Sequence, residues 1–532
     1  MELKDLIAPD TYNLTSEIDR FDSERIALRW ESDKGEKKTI TYHQLIQRGK
    51  QFANVLSGLG LKKGDRIMTI VPRIIDAYVI YLGALRAGIA VIPGSEMLRS
   101  ADIALRLSQG EAKAIVAYRD YTSQVDGIKE TLPALKYKIS VDGETDGWLS
   151  MNRLVSEASA DFTTVRTSKD DMAFLTYTSG TSGTPKAVIH SHGWAYAHLR
   201  IAPSRWLDIH DGDTFWATAG PGWQKWIWSP FLSVLGKGVT GLVYFGRFHP
   251  EKQLQLLQDY RVNVLCCTPT EYRLMAKVNN LGKYDLSHLR NACSAGEALN
   301  REVTDIFKRT FDIQLKDGYG QTESTLLIGT MVGDQIRVGS MGKAILDPFI
   351  TVIDEEGHPV PDGTVGNIAV RRDFPALFRG YFHQEDRYEA AVRGNYFLTG
   401  DRAAKDKDGY FWFHGRRDDV IISSGYTIGP VEVEDALLKS QAVKDCAVVG
   451  IPHEIRGNIV KAFVILRDGY EPSQDLIHEL QTFVKKETAP YKYPREIEFV
   501  QDLPKTISGK IKRSALRDLE VRRAREKGMN VE

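Results

Sequence analysis

Residue types that bind oxyanions are concentrated in one nine-residue stretch, Thr178-Ser179-Gly180-Thr181-Ser182-Gly183-Thr184-Pro185-Lys186. Apolar runs flank it, from Met172 to Tyr177 and from Ala187 to Ile189. Glycine allows backbone N–H groups to turn toward phosphate oxygens, the hydroxyl groups add donors, and the lysine adds positive charge. The pattern predicts a phosphate-binding loop between two buried strands. A Ser/Gly surface turn is the alternative interpretation.

Two common nucleotide motifs are excluded. A Walker loop requires Gly-Lys followed by Ser or Thr, whereas Lys186 follows Pro185 and precedes Ala187. A dinucleotide fingerprint requires a third glycine, which is missing after Gly318-Tyr319-Gly320. Any nucleotide site must therefore use another geometry.

Length and composition indicate a large globular protein. The chain has 532 residues, of which 42% are hydrophobic and 26% charged, and this length predicts two to four domains. Lysine plus arginine and aspartate plus glutamate both total 70, so no net field favours nucleic acid or an anionic membrane. The four cysteines lack metal-ligand spacing, and Cys266-Cys267 are adjacent, which favours reduced core thiols.

Neither a signal peptide nor a membrane span is expected. The first residues lack an apolar core, and the most apolar region, Ile67 to Pro93, is interrupted by Arg73, Asp76 and Arg86. The expected location is cytoplasmic.

The hydrophobic pattern predicts an α/β fold with further, smaller parts. Apolar strands alternate with helical segments from about Tyr42 to Cys267, which predicts two α/β layered subdomains with parallel strands. From about Ser340, short alternating strands separated by Gly, Pro and Asp predict a small antiparallel β-barrel or sheet. From Val420 onward, mixed helices and strands predict a separate small α+β domain.

Six segments, taken in order, give the chain a strong resemblance to the adenylate-forming (AMP-binding) enzymes. They are Thr178 to Lys186, Ser294-Ala295-Gly296-Glu297, Asp317 to Glu323, Thr399-Gly400-Asp401, Gly415-Arg416-Arg417-Asp418-Asp419 and Pro504 to Lys510. Four further segments resemble the medium-chain acyl-CoA synthetases of that superfamily. These are Gly222-Trp223-Gln224-Lys225, Pro269 to Arg273, Gly409 to Phe413 and Ala489 to Arg495.

The resemblance implies an ATP site and a catalytic group. The ATP-binding residues are Thr178, Ser179, Gly180, Thr181, Ser182, Gly183, Thr184, Pro185, Lys186, Gly296, Glu297, Asp317, Gly318, Tyr319, Gly320, Gln321, Thr322, Asp401, Arg416 and Lys510. The catalytic residues are Lys510, Thr322 and Glu323, with Glu323 as the Mg²⁺ ligand. Negative charge builds on phosphate oxygens as a carboxylate attacks ATP, so a lysine on a Ser-Gly loop suits this chemistry. A plain surface lysine at 510 and a plain turn carboxylate at 323 are the alternatives.

The resemblance also implies a coenzyme A site and two domains. The CoA-binding residues are Glu96, Ser424, Gly425, Tyr426, Arg456, Lys485, Tyr493, Pro494 and Arg495, and solvated surface charge is the alternative for the basic ones. Trp223 and its aromatic neighbours Trp226 and Trp228 would line the acyl pocket. Residues 1–417 would form the adenylation domain, and residues 418–532 a mobile lid that turns about a hinge at Asp418.

Two positions depart from the related enzymes. Thr427 stands where they usually carry arginine, and threonine lacks the bidentate donor geometry of arginine. Gln224 replaces a usual glycine, and its larger side chain is expected to shorten or reshape the acyl pocket.

Together these features predict an ATP-dependent acyl-CoA synthetase for a short- to medium-chain carboxylic acid, straight or branched. An acyl-AMP intermediate would form first, and CoA would then displace AMP. The alternatives are an aryl acid CoA ligase and a non-catalytic adenylate-binding protein. ATP, Mg²⁺ and coenzyme A are the expected cofactors and co-substrates, no nucleic-acid partner is expected, and either a monomer or a homo-oligomer is compatible with the sequence.

Overall fold

The chain divides into two compact units. The first unit consists of Met1–Ile350 and Arg371–Ala390, and the second of Thr351–Val370 and Ala391–Glu532. The computed structural model describes residues 2–178, 185–296, 301–416, 419, 421–423, 426–453, 457–488, 492–506 and 509–526. Among these residues, no helix combines the length and hydropathy that crossing a membrane requires.

The first unit contains a seven-stranded sheet that ends in the hairpin around the predicted phosphate loop. In sheet order its strands are Leu149–Ser150, Tyr137–Val141, Ala114–Tyr118, Arg66–Ile70, Ala90–Gly94, Met172–Thr178 and Lys186–Ser191. All neighbours run parallel except the last pair. The associated helices are Tyr42–Gly58, Ile75–Arg86, Ser100–Gln109, Thr122–Asp126 and Met151–Glu157. Helices link consecutive parallel strands because such strands require a crossover connection.

A second sheet of the first unit carries the downstream motifs. In sheet order its strands in this unit are Gly342–Ala344, Leu326–Gly329, Leu315–Gly320, Asn291–Ala295, Val264–Cys267, Thr214–Ala217, Thr240–Phe245, Ile26–Ser32 and Lys37–Thr41. Its longer helices are His192–Arg205, Pro250–Asp259, Pro269–Ala276 and Arg301–Phe311, while Gln224–Trp226 continues into a π-helix at Ile227–Ser233. A core that includes Leu254, Leu265 and Phe307 packs beneath this sheet. The predicted pair of α/β subdomains is confirmed.

The short strands after residue 340 form the antiparallel sheet that was one of the two predicted forms, and no closed β-barrel is seen among the described residues. In sheet order these strands are Ile350–Ile353, Val365–Arg371, Tyr396–Lys405 and Tyr410–Arg416, and Val392–Arg393 pairs with Tyr396–Lys405. Among the described residues, Ile350–Ile353 does not pair back with Tyr410–Arg416. Closure requires strong strand tilt and a matching stagger, which a few short strands linked by tight turns do not supply.

The C-terminal part of the second unit has the predicted α+β character. In sheet order its strands are Tyr426–Ile428, Ile421–Ser423, Gly457–Leu466 and Val443–His453, and Glu496–Phe499 lies parallel to Gly457–Leu466. Its helices are Pro430–Leu438, Gln474–Glu487 and Arg513–Glu526. A core that includes Val433, Leu437, Leu480 and Val484 joins the sheet to two of these helices. Residues 417 and 418 lie outside the described residues, so the domain boundary between them stays a prediction.

Candidate active site

An antiparallel hairpin holds the two ends of the predicted phosphate loop. Thr178 is the direct cross-strand partner of Lys186. The first strand is buried at Ala173, Phe174 and Leu175, which fixes it in the sheet. Residues Ser179, Gly180, Thr181, Ser182, Gly183 and Thr184 lie outside the described residues, so their phosphate contacts stay predictions. The structure places Pro185 and Lys186 at the start of the returning strand.

Tyr381 lies between two of the predicted site residues. Its Oη donates a hydrogen bond to Oε1 of Glu323 at 2.9 Å. The ammonium of Lys186 lies 5.0 Å from the centroid of the Tyr381 ring, within the range of a cation–π interaction. The structure therefore brings together a cation from the hairpin and a carboxylate from the second sheet, with one aromatic ring between them.

The backbone at Thr322 and Glu323 is fixed by donors from two other segments. His190 Nε2 lies 2.7 Å from the carbonyl oxygen of Thr322. The backbone N–H of Phe378 donates to the carbonyl of Glu323 at 2.8 Å, and Trp194 Nε1 donates to the carbonyl of Ser324 at 3.0 Å. A carbonyl can only accept a hydrogen bond, so Nε2 of His190 carries the hydrogen. This turn is therefore held in place independently of any ligand.

The histidines behind this turn are neutral. Burial lowers the pKa of His190 to about 3 and that of His198 to about 4. His198 Nδ1 lies 2.6 Å from Oγ1 of Thr325. This contact also helps to hold the segment that follows Glu323. Sequence reasoning missed these residues. The available signal was the spacing of four between His190, Trp194 and His198, which places the last two on one face of a helix.

Glu323 fits the role of a magnesium ligand. Its Oε1 accepts the hydrogen bond from Tyr381, while its Oε2 accepts none from another described residue. Magnesium is usually held by one or two carboxylates together with waters and substrate phosphates. Among the described residues, no group of three or more His, Cys, Asp or Glu forms an all-protein metal cage. A single carboxylate, with one oxygen that accepts no hydrogen bond from a described residue, suits a Mg²⁺ ion that also binds substrate phosphates.

Neighbouring parallel strands carry the predicted adenine-side residues. The strands Asn291–Ala295 and Leu315–Gly320 pair so that Ser294 faces Asp317. Gly296 directly follows the first strand, and Glu297 lies outside the described residues. Both segments therefore end at the same edge of the sheet.

Gly318 makes a close contact that excludes a side chain. A Cβ atom there would lie 2.4 Å from the indole ring of Trp206. The indole Nε1 of Trp206 donates to the carbonyl of Asp317 at 3.1 Å. The next residues, Tyr319, Gly320 and Gln321, are partly exposed.

The predicted acyl-pocket segment starts with a backbone-to-backbone contact. A Cβ atom at Gly222 would lie 2.3 Å from Cα of Ser95. Glu96 is exposed, and its Oε2 accepts a hydrogen bond from Tyr121 Oη at 3.2 Å. Trp223, the predicted acyl-pocket residue, is half-buried. The predicted CoA contact Glu96 therefore lies beside the start of the acyl-pocket segment.

Gln224 is buried beneath the phosphate hairpin. Its Oε1 accepts a hydrogen bond from Oγ1 of Thr176 at 2.7 Å. Its buried Nε2 has no hydrogen-bond partner within the described part of the chain. The side chain that replaces a usual glycine therefore occupies interior volume next to the strand that leads into the loop.

Lys225 is a buried cation that sequence reasoning did not select. Its ammonium is shielded from solvent, and no described residue hydrogen-bonds to it. It lies 4.6 Å from the ring centroid of Trp206 and 5.6 Å from that of Trp228. Trp226 instead packs in an aromatic cluster. A buried ammonium is costly without an acceptor, so Lys225 can bind the carboxylate of an acid. The Gly-Trp-Gln-Lys run was the available signal.

In the second unit, Asp401 and Arg416 face each other. They are direct cross-strand partners on Tyr396–Lys405 and Tyr410–Arg416. Nε of Arg416 lies 3.9 Å from Oδ1 of Asp401, and the carboxylate side chain is 10% exposed. The two residues predicted to contact ribose are therefore adjacent.

Lys510 lies on a tight turn in the second unit and is exposed. Its carbonyl accepts a hydrogen bond from the Thr506 N–H at 2.7 Å, and its own N–H lies 3.1 Å from Oγ1 of Thr506. Thr506 thus closes the turn from both sides. Two hydrogen bonds therefore join the backbone of Lys510 to Thr506.

Three predicted CoA-binding residues form one cluster. Nζ of Lys485 lies 4.0 Å from the ring centroid of Tyr493, and the guanidinium of Arg495 lies 4.9 Å from it. Arg495 Nη1 also donates to Tyr493 Oη at 2.9 Å. Pro494 joins the last two, and its carbonyl accepts a hydrogen bond from Gln481 Nε2. Two cations on one ring make a basic surface suited to phosphate.

Other predictions for the second unit fall outside the described part of the chain. They concern Ser424, Gly425, Arg456 and Asp418. The Tyr426 backbone pairs with Ser423. The side chains of Tyr426 and Thr427 are not described, so the effect of the missing arginine at 427 stays a prediction.

Comparisons with known proteins agree with this geometry. Residues 16–382 match the AMP-binding enzyme family, and residues 432–510 match the AMP-binding enzyme C-terminal domain. The chain is 51% identical to the uncharacterized acyl–CoA ligase YtcI of Bacillus subtilis (strain 168), over 98% of each chain. It is 40% identical to the mitochondrial acyl-coenzyme A synthetase ACSM4 of Mus musculus, over 94% of this chain and 87% of that protein.

The fold also matches that of a solved CoA ligase structure. The crystal structure of the anthranilate CoA ligase AuaEII in complex with anthranoyl-AMP matches with a TM-score of 0.90 at 27% identity, and the match covers 99% of this chain and 100% of that one. The sequence matches span most of the chain and the structural match nearly all of it. On this evidence, the chain belongs to the AMP-binding enzyme family and is one of its acyl-CoA ligases.

Proposed function

We propose that the protein is an ATP-dependent acyl-CoA synthetase for short- to medium-chain carboxylic acids, straight or branched. The observation that carries the proposal is the arrangement of Lys186, Tyr381 and Glu323 beside the phosphate hairpin. It supplies a cation for phosphate and a carboxylate for a metal at one place. The 40% identity to an acyl-coenzyme A synthetase over nearly the whole chain supports the thioester product.

In the first half-reaction, a carboxylate oxygen of the acid attacks the α-phosphorus of ATP. The P–O bond to pyrophosphate breaks, and acyl-AMP and pyrophosphate result. Lys225 would orient the carboxylate, since its buried ammonium has no other described acceptor. Lys186 and Lys510 would stabilise the charge that develops on the phosphate oxygens, because fixed cations aimed at developing charge lower the barrier most.

Three predicted residues would contact the adenosine. Tyr319 would stack on adenine, while Asp401 and Arg416 would bind the ribose hydroxyls. Glu323 would hold a Mg²⁺ ion through its carboxylate, and the ion would supply positive charge close to the phosphates. Thr322, whose carbonyl is already fixed by His190, would contribute its side-chain hydroxyl to the α-phosphate.

In the second half-reaction, the CoA thiol attacks the acyl carbonyl carbon and AMP leaves. A thiol proton is released, and the C–S bond replaces the mixed anhydride. A rotation about Asp418 would remove Lys510 and present the segment Ser424 to Tyr426. Lys485 and Arg495 would then bind phosphates of CoA, because both present positive charge on the Tyr493 ring.

The acid pocket would lie along Trp223 to Trp228. Gln224 fills volume there, which favours short or medium chains over long ones. An aryl acid is the second candidate. It is supported by the structural match to a ligase bound to anthranoyl-AMP and by the tryptophans around Lys225.

A panel of acids tests the proposal. Purified protein with ATP, Mg²⁺ and CoA is assayed for pyrophosphate release and CoA consumption with straight-chain, branched and aryl acids. We expect both pyrophosphate release and CoA consumption with C4 to C10 aliphatic acids. No pyrophosphate with any acid would overturn the ligase proposal. Turnover confined to benzoate-like acids would replace the aliphatic proposal with the aryl one.

A further inference from the structure

We propose that Tyr381 is a positioning residue that holds Lys186 and Glu323 apart and fixes the Glu323 carboxylate for the metal–phosphate group. The inference rests on the proposed function, because it concerns how the ATP site is prepared. It assigns a role to a residue that lies outside the motifs which predicted the site.

The backbone fixes the position of Tyr381. The N–H of Arg379 donates to the carbonyl of Ile189 at 2.9 Å, and the N–H of Ile189 donates to that of Gly380 at 3.0 Å. The N–H of Phe382 donates to the carbonyl of Ala187 at 2.8 Å. Residues 379–382 therefore extend alongside the strand that begins at Lys186. Tyr381 cannot shift without disturbing the hairpin that holds the phosphate loop.

The same short segment holds Glu323 at two points. The Phe378 N–H binds the Glu323 carbonyl at 2.8 Å, and the Tyr381 hydroxyl binds Oε1 at 2.9 Å. A hydrogen bond to a carboxylate is charge-assisted and stronger than one between neutral groups. Tyr381 is only 4% exposed, so bulk water does not compete freely for its hydroxyl. The rotamer of Glu323 is thereby fixed, with Oε2 left for a cation.

The Tyr381 ring separates two opposite charges. Lys186 approaches the ring face, whereas Glu323 binds the hydroxyl at the ring's end. Among the described residues, no carboxylate forms an ion pair with Lys186. Both charged groups contact this one ring, so without it the lysine and the glutamate would attract each other. A direct pair would neutralise the cation needed for phosphate and the carboxylate needed for metal.

Two substitutions separate the functions of the hydroxyl and the ring. Tyr381→Phe removes the hydrogen bond but keeps the ring face beneath Lys186. Tyr381→Leu removes both, and it allows Lys186 and Glu323 to pair. The matched control is Tyr42→Phe, because the Tyr42 hydroxyl is also buried and donates to the carbonyls of Val234 and Val239. That substitution removes a buried hydroxyl at a position outside the proposed site.

The test measures nucleotide binding without turnover. Isothermal titration calorimetry with α,β-methylene-ATP, in the absence of acid, gives the affinity with and without Mg²⁺. For Tyr381→Phe we expect the Mg²⁺-free affinity to stay within about twofold of wild type, while the strengthening by Mg²⁺ falls roughly tenfold, as the loss of one charge-assisted hydrogen bond implies. Tyr381→Leu should weaken both affinities, and Tyr42→Phe should change neither.

A double mutant shows whether Tyr381 acts through Glu323. In a Glu323→Gln background, Tyr381→Phe should cause no further loss of the Mg²⁺ effect, because the carboxylate it positions is gone. A purely structural tyrosine would reduce stability without changing the Mg²⁺ effect. A wild-type Mg²⁺ effect in Tyr381→Phe would overturn the inference while leaving the proposed function intact. Wild-type protein that does not bind the analogue would overturn both.

Discussion

Arg416 lies directly opposite Asp401 on the neighbouring antiparallel strand, with 3.9 Å between its Nε and Oδ1 of the carboxylate. This distance is too long for a hydrogen bond, and the buried Nε has no hydrogen-bond partner among the described residues. The cross-strand pair therefore fixes both side chains on one face of the sheet, and Nε remains available to a ligand.

Asp401→Asn should lower kcat/KM for ATP, because it weakens the hydrogen bonds to the ribose hydroxyls. A carboxylate can accept from both vicinal hydroxyls, whereas an amide offers one acceptor oxygen. The loss of a charged acceptor costs about 1.5–3 kcal/mol, which corresponds to roughly 10- to 100-fold in kcat/KM for ATP. The measurement compares ATP with 2′-deoxy-ATP, and Asp401→Asn should narrow the preference for ATP. An unchanged preference would remove Asp401 from the ribose site. The exposed Asp362→Asn is the control.

Local patterns were enough to predict most of the fold. The apolar run at Ile67 to Ile70, followed by a helical segment and another apolar run, is typical of a parallel α/β layer, and the structure has it. The choice between a small barrel and an open sheet was not predictable, because alternation along a strand such as Val365–Arg371 predicts pairing but not closure.

The site was predictable only where a motif marked it. Asp401 and Arg416 were selected by resemblance, and their direct pairing follows from a hairpin. Tyr381 lies 58 positions from Glu323, and their contact depends on how residues 379–382 pair with another strand. The burial of the Lys225 ammonium depends on two tryptophan rings that meet only in the fold. Neither contact leaves a periodic trace in the sequence.

Gln224→Gly should broaden the range of acids toward longer chains. The buried Gln224 side chain extends to Thr176, so its removal frees volume along the predicted pocket. Assays with C4 to C14 acids should show the preferred length move up by at least two carbons. Thr176→Val breaks the same hydrogen bond but keeps the volume, so it should leave the preference unchanged. The same shift in both variants would show that volume is not the cause.

Lys485→Ala should affect only the second half-reaction. Lys485 and Arg495 place positive charge on the Tyr493 ring, and an exposed charge–phosphate contact contributes about 0.2–1 kcal/mol. We expect a two- to fivefold rise in KM for CoA and unchanged acid-dependent pyrophosphate release. If Lys485 contacts the 3′-phosphate, wild type and Lys485→Ala should have the same KM for dephospho-CoA, which lacks that phosphate. Lys439→Ala, which removes an ion pair with Glu487 in the same unit, is the control, and an equal effect there would contradict a CoA role.

Buried neutral histidines predict loss of stability in mild acid. Burial lowers the pKa of His192 to about 4, and its Nδ1 accepts a hydrogen bond from the Leu14 N–H. The folded pKa lies below the unfolded value of about 6.5, so the unfolded chain binds more protons in between. The stabilisation that neutral His192 gives to the folded state is present above about pH 6.5 and is lost as the pH falls toward 4.

The corresponding variant is His192→Asn, whose side-chain oxygen can still accept from Leu14. When the pH is lowered from 7 to 5, the free energy of unfolding should fall in both proteins. The fall in His192→Asn should be about 2 kcal/mol smaller than in wild type. Urea unfolding at the two pH values measures this. The exposed His358→Asn should behave like wild type. A wild-type pH dependence in His192→Asn would contradict the assignment.

One chain should perform adenylation with Lys510 and thioester formation without it. The most direct measurement is ATP–pyrophosphate exchange without CoA, together with conversion of preformed acyl-AMP and CoA to thioester, in wild type and in Lys510→Ala. Wild type should show acid-dependent exchange. Lys510→Ala should lose about 100- to 1,000-fold of it, on the scale of one preorganised charge, and should retain the conversion of acyl-AMP. Absence of exchange in wild type, or an equal loss in both steps of the variant, would contradict this account.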